Sequence, residues 1–71
     1  MEDLTNTIRE LFNIYRQSPL WPGDTISHDT ANNCVELGWA ARNKDGYFTP
    51  TTEGTMVFNL LNNAGVERFF K

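Results

Sequence analysis

Leu4, Ile8, Leu11, Phe12 and Tyr15 recur at steps of four, three, one and three along the first part of the chain. That spacing lays one apolar stripe along a helix of 3.6 residues per turn and predicts a helix over residues 5–17. Asp3 or Thr5 suits the cap at its start, Glu2 and Asp3 favour the positive end of the helix dipole, and Arg16 favours the negative end. The pattern stops at Ser18-Pro19-Leu20-Trp21-Pro22-Gly23-Asp24. Each proline there lacks an amide donor and restricts the residue before it, so the stretch reads as a rigid, partly apolar loop. A second helix is predicted over residues 27–37, with Ser27 as N-cap, Ile26 as the apolar residue before it and Gly38 as the left-handed residue that ends it. Ala31, Cys34, Val35 and Leu37 form its inward stripe. His28, Asp29, Asn32, Asn33 and Glu36 form its exposed side.

Beyond Gly38 the period changes. Residues 39–42 and 47–49 are two short β-prone runs around Asn43-Lys44-Asp45-Gly46, in which Asp-Gly supplies the positive φ that a hairpin turn requires. Pro50 closes the second strand, and Thr51 caps a third helix along which Met56, Val57, Leu60, Leu61 and Ala64 recur at helical spacing up to Gly65. Gly54, in the first turn of that helix, suits a site of close packing. Residues 66–71 form a short apolar tail. The predicted architecture is α+β, a single domain over residues 1–71 with three helices and a two-stranded hairpin.

Length and composition narrow this reading. A chain of 71 residues buries only about 60 % of its unfolded surface, so the core is small. Its 39 % hydrophobic, 21 % charged and 13 % aromatic content is that of an ordinary globular domain, with five Phe, two Tyr and two Trp supplying most of the packing mass. Cys34 is the one cysteine; it excludes an intramolecular disulfide, and with only His28 beside it no thiolate zinc site can form. The N-terminus lacks the basic and apolar segments of a secretory signal, and no run approaches the roughly 18 apolar residues of a membrane span. The expectation is a cytoplasmic protein. Its initial Met, with no tag, linker or repeat, reads as the start of a complete small gene product.

Leu37-Gly38-Trp39, then Arg42, the Asp45-Gly46 turn, and Phe48-Thr49-Pro50-Thr51-Thr52-Glu53-Gly54 carry a resemblance. They are similar to the end of the recognition helix, the wing and the final helix cap of winged helix-turn-helix proteins, among them many small regulators of phage and bacterial origin. The resemblance covers about a third of the chain and implies a winged-helix-like domain. It departs from the family at Pro19 to Thr25, which leaves room for one helical turn where a full helix-turn-helix has a separate helix. A DNA-binding regulator built this way would read base edges with Ser27, His28, Thr30, Asn32 and Asn33, and meet phosphates with Arg42 and Lys44.

Charge and aromatic content shift the balance away from DNA. Six Lys and Arg stand against nine Asp and Glu, a formal charge of −3, and Asp24, Asp29 and Glu36 lie on or beside the surface that would face the duplex. Affinity for DNA comes chiefly from neutralised phosphates, for which this chain is poorly supplied. Trp21, Trp39, Tyr47, Phe48, Phe69 and Phe70 lie outside the helical stripes, more aromatics than so small a core can hide. Exposed aromatics rimmed by polar residues mark protein interfaces. The leading expectation is a non-enzymatic protein-interaction domain presenting Trp21, Asp24, Asp29, Glu36, Trp39, Tyr47, Phe69 and Phe70. It resembles small phage or mobile-element inhibitors and adaptors that cover the basic surface of a host nucleic-acid-binding complex. Phe69-Phe70 must either dock on the first helix near Leu4, Ile8 and Phe12 or contact another chain, a homodimer contact being the expectation; for the function, a DNA-binding regulator is the alternative. No catalytic or cofactor site is expected: His28 beside Asp29 reads as a solvated polar residue, and Cys34 as a small buried hydrophobe.

Overall fold

The computed structural model describes residues 4–70, apart from the side chains of Phe69 and Phe70. The first helix, α1, spans Leu4–Arg16; Glu2 and Asp3, expected to favour its start, lie outside the described residues, and Thr5, the other cap candidate, lies within the helix because it begins one residue earlier. Its buried arc is Thr7, Glu10, Leu11, Phe12 and Ile14, wider than the predicted stripe and turned toward polar positions. Leu4 is exposed, and Ile8 and Tyr15 are half-buried. The reason is that α1 packs between two other helices, and the side it turns to one of them is polar, so hydrophobic periodicity cannot register it.

That neighbour is α2, His28–Glu36. Ser27 caps it as the sequence predicts: its hydroxyl accepts from the Thr30 amide at 3.1 Å, and the Thr30 hydroxyl accepts from the Ser27 amide at 3.2 Å. The helix runs antiparallel to α1. Cys34 Sγ donates to the Thr7 carbonyl at 3.4 Å, Thr30 Oγ1 donates to Glu10 at 3.3 Å, and Asn13 Nδ2 donates to the Asp24 carbonyl at 3.2 Å. At its C-terminus the Gly38 and Trp39 amides turn back onto the Val35 and Cys34 carbonyls, which closes the helix. Leu37, expected inward, is half exposed because it is the cap residue at which the chain turns away.

The loop between α1 and α2 contains a single 3₁₀ turn, Pro22–Asp24, the one turn for which the sequence leaves room. Before it, Leu20 is fully buried and exchanges two backbone hydrogen bonds with Phe48, at 2.8 and 2.9 Å. The hairpin strands are β1, Ala40–Arg42, and β2, Phe48–Pro50, antiparallel with Ala40 opposite Pro50 and Arg42 opposite Phe48. Gly46 takes the turn at φ 84°. The Asn43 carboxamide oxygen accepts from the amides of Asp45 and Tyr47, a cage within the turn.

The third helix, α3, spans Thr52–Asn63. Thr51 is its N-cap, accepting from the Gly54 amide at 3.0 Å, and its hydroxyl also donates to the Gly38 carbonyl. A Cβ at Gly54 would run into the Trp39 carbonyl, so the first turn of α3 lies directly on the backbone that follows α2. From α3, Phe58 stacks on Tyr15 of α1 with centroids 3.9 Å apart and meets Phe12 of α1 at 4.7 Å. Leu11, Ile14, Leu20, Ala31, Cys34, Ala40 and Phe48 make the core, flanked by Val35, Trp39, Val57, Phe58 and Leu61. Residues of the tail form a 3₁₀ helix, Val66–Phe70, in which Glu67 pairs with Arg16 at the end of α1. The result is an α+β domain of three helices and a two-stranded antiparallel hairpin.

Two glycines give separable expectations. Gly46→Ala meets nothing within 4 Å, so it costs only the positive φ, about 1 to 2 kcal/mol. Gly54→Ala must push the Trp39 main chain away from α3, an overpacking cost of about 1 to 3 kcal/mol that also opens the core beside Val57. Chemical denaturation of both variants should show a lower midpoint for each. Loss of α3 amide protection should accompany Gly54→Ala alone; equal loss in both would refute the contact assigned to Gly54.

Candidate functional site

The exposed face of α2 is a polar stripe. Asp29, Asn32 and Glu36 occupy the side opposite the buried Thr30, Ala31 and Cys34, with His28 beside them. The helix contains no lysine or arginine. Asp29 in the first turn favours the positive end of the helix, whereas Glu36 lies in the last turn, where a negative charge is disfavoured. Glu36 makes no ion pair among the described residues. It therefore has no stabilising role that the fold explains.

What holds this face in place is Glu10, fully buried on α1. Its carboxylate accepts from the Ile26 amide with both oxygens, at 2.9 and 3.1 Å, from Thr30 Oγ1 at 3.3 Å and from Asn13 Nδ2 at 3.1 Å. The Thr30 hydroxyl completes the capping box of α2, and Glu10, from another helix, takes the amide one residue before the cap, at Ile26. Sequence reasoning missed Glu10. Its only trace was an acidic residue between Thr7 and Ile14 on the side of α1 that the apolar stripe left out.

Next to the start of α2, Trp21 is 55 % exposed. Its indole lies over Gly23, where a Cβ would collide with the ring. Asp24 is exposed and closes the same 3₁₀ turn. Trp21, Asp24, Asp29 and Glu36 thus lie on consecutive exposed segments. Trp39 and Tyr47 do not join them as open aromatics: both are half-buried, and Trp39 packs against the core under the end of α2. Phe48, counted among the surplus aromatics, is buried. The side chains of Phe69 and Phe70 lie outside those described.

Of the residues suited to DNA, Ser27, His28 and Asn32 are exposed, but Ser27 is engaged as the cap. Asn33 is half-buried and donates to Thr7 Oγ1 at 3.5 Å. Thr30 is buried and cannot reach a ligand; its hydroxyl is used between Ser27 and Glu10, because the third position of a capped helix turns inward here. Arg42 and Lys44 are exposed on the hairpin, Arg42 with its guanidinium 4.8 Å above the Phe48 ring. Among the described residues no group of three or more His, Cys, Asp or Glu could hold a metal ion, and no helix is long and apolar enough to cross a membrane.

Cys34 lies inside this frame. Burial, and after it the negative charge of Glu10, pushes its thiol up to about 12 from the ordinary 9.0. A folded-state value above the unfolded one means that the folded protein binds more protons between the two values. The stabilising contribution is complete below pH 9.0 and is lost as pH rises toward about 12. Wild-type stability should therefore fall more steeply over this window than that of Cys34→Ala, and a thiol reagent at pH 8 should label Cys34 only on unfolding. Fast labelling of the folded protein would contradict the burial.

The chain matches no protein-family model, and comparison with curated proteins and with solved structures finds no match in either.

Proposed function

We propose that this protein is a non-enzymatic interaction module that binds the basic surface of a protein partner through the outer face of α2 and the adjoining Trp21. The observation that carries the reading is that Trp21 and Asp24, in the loop leading into α2, and Asp29 and Glu36, on the helix itself, are all exposed, and that the helix has no lysine or arginine. Trp21 provides a large amphipathic anchor and the carboxylates provide orientation and steering, the combination that protein interfaces favour. Glu36, which makes no ion pair among the described residues and lies at the unfavourable end of its helix, acquires a purpose if a partner cation meets it. A compact acidic domain of this kind suits an inhibitor or adaptor that covers the nucleic-acid-binding surface of a host complex, as small phage and mobile-element proteins do. A winged-helix regulator is the competing class, and it would engage phosphates with Arg42 and Lys44.

The test pairs two measurements. Immobilised protein should retain a protein from a host lysate in a salt-sensitive manner, and the retention should be lost both with Trp21→Ala and with the combined Asp24→Asn, Asp29→Asn, Glu36→Gln substitution. In parallel, random duplex DNA at physiological salt should bind no tighter than about 10⁻⁴ M. Sub-micromolar DNA binding that disappears in Arg42→Ala or Lys44→Ala would replace the proposal with the regulator reading.

A further inference from the structure

Gly23 owes its identity to a neighbour's ring. Its backbone does not take the left-handed conformation that Gly38, Gly46 and Gly65 adopt, so its main chain would accept other residues. A Cβ there would instead run into Cε3, Cζ3 and Cη2 of Trp21, the edge of the indole remote from its N–H. The indole is thus laid against the Pro22–Asp24 turn, while more than half of Trp21 faces water. That turn is held from several sides. Leu20, before it, is paired with Phe48 by two backbone hydrogen bonds. The Asp24 amide donates to the Trp21 carbonyl at 2.9 Å, Thr25 Oγ1 donates to the Pro22 carbonyl at 3.0 Å, and the Asp24 carbonyl accepts from Asn13 of α1 at 3.2 Å. The backbone bond between Trp21 and Asp24 brings an open ring and a carboxylate together on one rigid turn. Neither the indole N–H nor the Asp24 carboxylate has a hydrogen bond or ion pair among the described residues.

We infer that Trp21, Gly23 and Asp24 form a seat for one arginine side chain of the partner protein, its guanidinium stacked on the open side of the indole and hydrogen-bonded to the Asp24 carboxylate. The inference rests on the reading of the protein as an interaction module and names the residue that the Trp21 end of its surface receives. Chemistry decides the occupant. A planar, weakly hydrated guanidinium gains from an aromatic face and a carboxylate at once, whereas an ammonium is strongly hydrated and has no plane to stack. The chain's own cations lie elsewhere. Arg16 pairs with Glu67 and lies 5.8 Å over the Phe12 ring, Arg42 lies 4.8 Å over Phe48, the Arg68 guanidinium is beside Gly65, and Lys44 is in the hairpin turn. Arg9, one turn before Asn13 on α1, makes no ion pair or ring contact among the described residues. The seat is formed, and open, before the partner arrives.

The probes are three short peptides of equal length, oligoarginine, oligolysine and oligocitrulline, titrated into the isotopically labelled full chain. Oligoarginine should move the indole N–H signal of Trp21, leave that of half-buried Trp39 in place, and bind roughly fivefold tighter than oligolysine. Neutral oligocitrulline should not bind. Gly23→Ala keeps every charge and both tryptophans but pushes the indole off the turn; it should bring oligoarginine and oligolysine to equal affinity without lowering the thermal midpoint, because the ring that moves is on the surface. Asp24→Asn should remove the same preference, and Arg9→Gln should leave it unchanged. Equal affinity of the two cationic peptides for the unmodified protein, or no binding of either, would overturn the inference, as would a preference that survives Gly23→Ala. A preference that appears only in Arg9→Gln would overturn it too, since the occupant would then be the chain's own Arg9. So would a concentration-dependent mass in sedimentation that Asp24→Asn abolishes, because the arginine would then belong to a second copy. The interaction reading itself fails separately, on lysate retention that survives the Trp21 and carboxylate variants.

Discussion

A carboxylate in a core this small has to be satisfied where it lies, and the way Glu10 is satisfied governs how α2 meets α1. The side chain is fully buried with no cation in its hydrogen-bond shell among the described residues; its oxygens are met by the Ile26 amide, the Thr30 hydroxyl and the Asn13 carboxamide. Burying a charge costs several kcal/mol unless donors surround it. Sliding α2 by one turn along α1 would remove those donors at once. The polar contact therefore fixes the register of the two helices more narrowly than the neighbouring aliphatic contacts could, since apolar packing tolerates small slips that hydrogen bonds do not. It also sets the charge that, after burial itself, keeps the Cys34 thiol protonated.

From that anchor the remaining elements are attached in sequence by short backbone devices. The cap at Ser27 starts α2, and the Gly38 turn ends it. Thr51 and the close approach of Gly54 to Trp39 fasten α3 to that turn. Leu20 holds the edge of β2, and Arg16 with Glu67 returns the tail to α1. Because attachment relies on these points, α3 buries only one side of itself and leaves Met56 and Leu60 in water, while α2 turns His28, Asp29, Asn32 and Glu36 outward. The exposed acidic and apolar surfaces are the direct consequence of economical packing in 71 residues.

Local chemistry was legible along the chain. Asp45-Gly46 marked the hairpin, Ser27 and Thr51 marked two helix starts, and the prolines limited the first loop to a single turn. The outer stripe of α2 was legible because helical period alone puts Asp29, Asn32 and Glu36 together. What escaped were partnerships across distance. Glu10 is 16 residues from Ile26, a separation at which no pattern in the sequence pairs them. Leu20 joins β2 across the intervening α2, and Thr30 looks like an available hydroxyl until α1 is set against it. Trp39 reads as a surplus aromatic because only the packed end of α2 reveals its cover. Phe48 is hidden for the same reason.

The Glu10 contact can be read directly through the amide it holds. Native-state hydrogen exchange at Ile26, a loop residue whose side chain is exposed, should proceed as slowly as at Ala31 and Cys34 in α2, because its N–H is shared between two oxygens of a core carboxylate. Glu10→Gln, which keeps the shape but replaces one oxygen by a donor, should accelerate exchange at Ile26 and Thr30 well before that of the β1–β2 ladder. If Ile26 exchanges at the rate of an unprotected loop amide in the unmodified protein, Glu10 does not anchor α2, and the frame that presents the acidic face must be held by the apolar core alone.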